Sequence, residues 1–130
     1  MTETEQAAAI LAALNDALAP AVAYELSKVP GASGNAGTEP AKYAVVSIAR
    51  RYTDSRRGSG EVSLNGYRLT VRYIAKSIGD ARTMRARGTA ALEDQIIVAD
   101  AGEIGPFVFE SSDAFRPDEG YQVGDDAFTF

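Results

Sequence analysis

The alternation over residues 67–74 constrains this chain more than any other stretch. Tyr67, Leu69, Val71 and Tyr73 fall on one side of an extended backbone, and Arg68, Thr70 and Arg72 on the other. A period of two with one apolar side reads as a β-strand with one buried face. The tyrosines therefore point into a core. The two arginines stand in a row on an exposed sheet face, with Lys76 just beyond. Upstream, residues 43–52 read as a second long strand. Ala44, Val46 and Ile48 share one face and Val45 and Ser47 the other. Both faces are apolar enough for a strand covered on both sides. Arg50, Arg51 and Tyr52 break the pattern, so the strand leaves the core there. The intervening 53–60, with Arg56, Arg57 and two glycines, is too long for a two-residue turn. Residues 43–75 thus form a long β-hairpin with a projecting tip, and Asn65-Gly66 suits a kink on its return. The tip is either a soluble hairpin end or an arm that orders against a partner.

Two helices flank this hairpin. Residues 4–19 carry Ile10, Leu11, Leu14 and Leu18 at helical spacing, with Thr2 and Glu5 as a capping box and Pro20 as the stop. The alanines make the helix slim enough to lie close to a neighbour. Residues 80–98 read as the second helix, with Asp80 as its N-cap and a stripe of Ala81, Met84, Gly88, Leu92, Ile96 and Ala99. Gly88 costs helix stability by about 0.8–1 kcal/mol relative to alanine. Close approach of the helix to a sheet would account for it.

Val22, Tyr24 and Leu26 alternate as a short strand with one buried face. The stretch 29–40, with Gly31, Gly34 and Gly37, reads as a flexible connector. A phosphate loop would need a Lys-Ser/Thr opening a helix, and here Pro40 leads into a strand. The rest is a turn at 100–106, a strand at 107–110, a polar loop to Gly120 and a closing strand alternating at Asp126, Phe128 and Phe130. The expected fold is α+β in a single domain, residues 1–130. It has a mixed, mostly antiparallel sheet with the long hairpin, two helices packed on one face, and short C-terminal strands within 107–130.

Composition narrows the chemistry. The chain has no cysteine and no histidine, which removes disulfides, thiolate nucleophiles and a Ser-His-Asp triad. The adjacent acid pairs Glu93-Asp94 and Asp125-Asp126 point in different directions, whereas catalysis needs convergent groups. The expectation is a non-enzyme without cofactor or metal. No apolar run approaches the roughly 20 residues of a bilayer span. Glu3 and Glu5 make the start unlike a secretory signal, so the protein is expected to stay in the compartment where it is made.

Net charge is −5, unevenly placed. Residues 50–87 hold ten of the thirteen basic residues and three of the eighteen acidic ones, an excess of seven positive charges. The remaining three basic and fifteen acidic residues leave the rest twelve negative. The candidate interaction residues are Arg50, Arg51, Arg56, Arg57, Arg68, Arg72, Lys76, Arg82, Arg85 and Arg87. Either the acidic part neutralises them within one molecule, or the two parts meet between copies. Arg82, Arg85 and Arg87 near the start of the second helix, with Glu93 and Asp94 toward its end, oppose the helix dipole. That arrangement asks for a charge partner elsewhere, and the favoured partner is the acidic part of another subunit.

The order of elements, with the strand Tyr67–Ala75, the turn and helix start at 77–82, the helix residues 87–97 and the closing segment 120–130, resembles the tail terminator (tail completion, head–tail joining) proteins of long-tailed bacteriophages. The resemblance covers nearly the whole layout and rests on architecture rather than signature residues. It implies a virion assembly protein that forms a homo-oligomeric, hexameric ring at the head-proximal end of the tail, after assembly in the host cytoplasm. Its implied partners are copies of itself, the tail tube protein and a head–tail connector or neck protein, with DNA only in passage through the lumen and no membrane. Other readings are a different connector or tube component, or a small nucleic-acid-binding module using the arginines with Tyr52, Tyr67 and Tyr73. In that last reading the tyrosine face lies inward, opposite the arginines, where it favours core packing over base stacking.

Overall fold

The computed structural model describes residues 2–32, 34–51 and 66–130. Arg56, Arg57, the rest of the expected hairpin tip and the Asn65 kink lie outside them. Helix α1 (Glu3–Leu18) starts on the expected capping box: Glu5 N–H donates to Thr2 Oγ1, and the Glu5 carboxylate accepts from Thr2 N–H. Strands β1 (Val22–Glu25), β2 (Lys42–Arg50) and β3 (Tyr67–Ala75) follow, then helix α2 (Ile78–Leu92). A small hairpin of β4 (Ile97–Ala99) and β5 (Gly102–Ile104) leads to β6 (Val108–Ser112), β7 (Arg116–Asp118) and β8 (Tyr121–Thr129). The main sheet runs β1-β2-β3-β8-β6, with β7 also paired to β8. Only β1 and β2 are parallel among its strand pairs. The α+β class with a mostly antiparallel sheet is as expected.

The core follows the period-two pattern. Leu69, Val71 and Tyr73 are fully buried and face both helices, with Ala44, Val46, Phe128, Ile10, Leu14, Met84 and Leu92. Tyr67 stacks on Phe130, whose ring meets Phe107 at a tilt. Val45 and Tyr43 turn to the opposite face and join Val29, Ile74 and Val123 in a second, smaller core. Strand β2 is therefore covered on both sides along its first half, as its two apolar faces indicated.

Several boundaries differ from the sequence reading. The cover of that second core is the glycine-rich stretch expected to be a flexible connector. Val29 is buried beneath it, and Asn35 Nδ2 donates to the Ser27 and Val29 carbonyls at 2.8 Å each. Gly31 has φ +75°, and a Cβ there would collide with the backbone of Glu39. The loop glycines let the chain double back onto the sheet instead of away from it. In β1 the buried side is Ala21 and Ala23, while Val22 and Leu26 are exposed. The reason is α1, which crosses so close that Asn15 Oδ1 accepts from Ala23 N–H, leaving room only for small side chains.

Helix α2 is capped by Ser77, whose Oγ accepts from Asp80 N–H, and not by Asp80. It ends at Leu92, six residues short of the expected 98. Asp94 turns left-handed (φ 58°) and its N–H bonds the Phe107 carbonyl, so the backbone leaves the helix to pair. Ala81, Met84, Gly88 and Leu92 form the inward stripe, but Ile96 is exposed and Ala99 belongs to β4. The closing strand β8 has nine residues rather than being short, and the loop after 110 contains the end of β6 and all of β7. Double pairing explains both extensions, since β8 is bonded along each edge.

Gly88 is the point of closest approach between α2 and the sheet: a Cβ built there falls on the Tyr73 hydroxyl. Tyr73 is fully buried, so its ring cannot swing clear. Alanine would gain about 1 kcal/mol in helix propensity but meet an overpacking cost of about 1–3 kcal/mol. Gly88→Ala should therefore lower the urea unfolding free energy by about 1 kcal/mol. The Tyr73 hydroxyl has no hydrogen-bond partner. Tyr73→Phe alone should be neutral or stabilising, and in the Gly88→Ala background it should recover most of the loss. An additive double mutant would show that the contact is not the cause.

Candidate assembly surface

The described members of the basic set lie on two sides of the sheet and form no single patch. On the face away from the helices, Arg72 makes a two-point contact with Asp125 (Nε–Oδ1 2.8 Å, Nη2–Oδ2 3.1 Å), which raises the arginine's proton affinity further. Arg68 Nη2 lies 2.8 Å from Glu110 Oε1. These two arginines stand exposed in a row, as the alternation predicted. Lys76 sits 5.6 Å from the Tyr121 ring centre. On the helix side, Arg50 Nε is 2.7 Å from Glu3 Oε1 at the start of α1. Arg82 is exposed on α2, and Arg87 donates to the Ala19 carbonyl across to the end of α1. Arg51 is exposed at the end of β2, where its N–H bonds the Gly66 carbonyl.

Arg85 points inward instead. Its Nε is 3.0 Å from Asp126 Oδ1, its Nη2 donates to the Asp113 carbonyl at 2.7 Å, and its guanidinium stacks 4.0 Å from the Phe115 ring centre. Asp126 is 1% exposed and also accepts from Ser112 Oγ at 2.5 Å and Thr89 Oγ1 at 3.5 Å. This network joins α2 to β8 and β6. It was missed from the sequence because Asp126 and Arg85 are 41 positions apart by number and meet only through the sheet order.

For Arg50, Arg68, Arg72 and Arg85 the carboxylate lies in the same chain, whereas the sequence favoured an acidic partner in another subunit. The cause is topological. Strand β8, carrying Asp125 and Asp126, lies directly beside β3, β6 with Glu110 lies one strand further out, and Glu3 opens α1 near the end of β2. The pairing also separates Asp125 from Asp126: one faces Arg72, the other Arg85. Among the described residues no three carboxylates gather as a metal site. No helix among them is long and apolar enough to cross a membrane. Tyr73 is buried in the core and Tyr67, half-buried, packs against it. Tyr52 lies outside the described residues.

No family model and no curated protein matches the chain. A solved structure does: a chain in the virion of a native gene transfer agent particle. The TM-score is 0.66 at 16% identity, and the match covers 98% of this chain and 96% of the other. The two share a fold along essentially their whole lengths.

The buried and exposed ion pairs should behave differently. Arg85→Ala strands a buried carboxylate and should cost about 3 kcal/mol or more in urea unfolding. Arg72→Ala breaks an exposed pair and should cost about 1 kcal/mol or less. Equal losses would contradict the burial argument.

The tyrosines set an alkaline limit. Tyr73 is pushed well above the ordinary value by burial, then by Asp126, and Tyr43 by burial, then by its hydrogen bond to Glu39. In the unfolded chain both titrate near pH 10. The stability they hold is complete below that pH and is lost as pH rises toward their folded values. Unfolding free energy should therefore fall steadily above about pH 10. Tyr73→Phe should shallow that slope in a pH series of urea melts.

Proposed function

We propose that this chain is a structural component of a phage-like virion, and within it the tail terminator: a hexameric ring on the head-proximal end of the tail tube that stops tube growth and receives the head-side connector. The observation that carries the reading is the full-length likeness in fold to a virion chain, at nearly equal chain lengths. The layout of helix, strand, long hairpin, helix and closing strand supports the same class. A non-enzymatic role fits the arrangement of polar groups, since the acid pairs diverge and the buried Asp126 network ties α2 to the sheet. Binding of nucleic acid as the main task is disfavoured by arginines already held by carboxylates and tyrosines turned inward.

Deleting the gene from its phage or particle should give tails of abnormal length, or tails that do not join heads, in negative-stain micrographs. A tagged protein should mark only the head-proximal tail end. Normal tail length with normal head attachment would remove the terminator role, and label along the whole tail would point to a tube subunit.

A further inference from the structure

Among the described residues, β4 and β5 are the only strand pair outside the main sheet. A two-stranded ribbon is marginal alone. This one is held by its inner face: Ile97 and Ala99 pack against the core, Ile104 is buried, and β4 lies against α1. Its outer face combines apolar and acidic groups. Val98 points outward with Glu103 directly across from it. Ile96 leads into β4 and Asp100 turns out of it, both exposed. Val98 is 75% exposed and Ile96 52%. Residues 93–104 hold Glu93, Asp94, Asp100 and Glu103 and no basic residue. Among the described residues none of these four carboxylates has an ion-pair partner.

A matching surface lies at the other end of α2. A groove between the start of that helix and the segment joining β6 to β7 is lined by Ile78, Arg82, Arg85, Ala86, Ala114 and Phe115. Arg85, tied to Asp126 and the Asp113 carbonyl and stacked on Phe115, forms its floor. A Cβ at Gly124 would collide with both Arg85 and Phe115, so close packing fixes that floor from below. Arg85 and Arg87 have partners in their own chain. Arg82 is exposed and has neither an ion pair nor a hydrogen bond from its side chain among the described residues. Of the arginines that oppose the α2 dipole, it is the one left without compensation.

The two surfaces cannot meet within one molecule. The hairpin follows the end of α2 and the groove flanks its first turns, so the 15 residues of the helix, about 20 Å, stand between them. They also lie on different flanks, since β4 rests on α1 and the groove faces the β6–β7 segment. The groove opens at the Ala75 end of β3, away from the end where Arg51 pairs with Gly66. A contact between such unlike patches is head-to-tail and repeats from copy to copy. The chemistry matches part for part. Ile96 and Val98 are aliphatic, as the groove is at Ile78 and Ala86 beside the Phe115 ring, and Asp100 and Glu103 carry the charge that Arg82 lacks. Neighbouring exposed apolar side chains rimmed by charge have the composition of a contact surface.

We propose that the β4–β5 hairpin of one copy docks in the α2 groove of a second copy, with Val98 against Ile78 and Phe115 and with Asp100 and Glu103 at Arg82. This rests on the ring reading above and adds the contact by which neighbouring copies hold one another.

The absence of cysteine makes the test direct. Val98→Cys and Ala86→Cys, both at exposed positions, are made in separate full-length chains, mixed at up to millimolar concentration and mildly oxidised. The expected product is a disulfide heterodimer. The control mixture of Val98→Cys with Glu25→Cys, on the outer strand β1, should give none. Val98→Lys sets a cation opposite Glu103, which suits the hairpin, but also sets it against Arg82. It should weaken association about tenfold or more by light scattering, while its far-UV circular dichroism stays native. Arg82→Glu should weaken association too, and so should Asp100→Lys with Glu103→Lys. All three charge reversals in one chain should restore most of the loss. The proposal is overturned by an oligomer without the 98–86 cross-link, by a chain that stays monomeric and uncross-linked, or by a native-folded Arg82→Glu or Val98→Lys that assembles unchanged, the result expected if something else covers the hairpin. An intact 98–86 cross-link with normal tails after gene deletion would retain this interface and remove the terminator role, so the two readings fail separately.

Discussion

The C-terminal strand pairs along both of its edges, and the rest of the fold is placed by that double pairing. Along one edge β8 meets β3 from Arg68 to Ala75, and along the other it holds β6 and β7. A strand in that position has its backbone groups satisfied on both sides and can be buried. It then supplies Phe128 to the helix-side core and Val123 to the loop-side core. The last residue, Phe130, is itself tied in: its N–H and C=O exchange bonds with Tyr67, and its ring joins Tyr67 and Phe107. A chain end held this way contributes to the core instead of fraying.

The same placement settles the charges. A strand carrying Asp125 and Asp126 sends one carboxylate to each face of the sheet. One is met by Arg72 from the neighbouring strand and the other by Arg85 from the helix above. The exposed pair is weak and exchangeable with solvent or a partner. The buried pair is costly to break because removing either member leaves a charge without water. The helix charges that oppose the α2 dipole thus find part of their compensation inside the subunit, at Asp126. Arg82 and Arg87 remain at the surface of α2.

Elements governed by local rules were legible. The capping box at Thr2 and Glu5, the inward row of Leu69, Val71 and Tyr73, the outward row of Arg68 and Arg72, and the tight packing at Gly88 all appear where the pattern puts them. Elements ended or redirected by distant contacts were not. Nothing near Leu92 marks a stop; the stop is a bond from Asp94 to Phe107. Nothing in the glycine-rich loop requires it to lie on the sheet; the apolar patch that draws Val29 down is made by β2, β3 and β8 together. The candidate site divides in the same way. Its residue types and their exposed row could be read, but their carboxylate partners could not.

By itself, then, the sequence determined the period-two and helical stripes, the slim helix faces, the missing catalytic residue types and the uneven charge, because each depends on side chains a few positions apart. Only the tertiary structure decided that β8 enters the sheet between β3 and β6 and that Asp125, Asp126 and Glu110 pair with arginines of their own chain. Those facts depend on strand order, and strand order is set by which long-range pairing buries the most apolar surface while leaving fewest backbone groups unpaired.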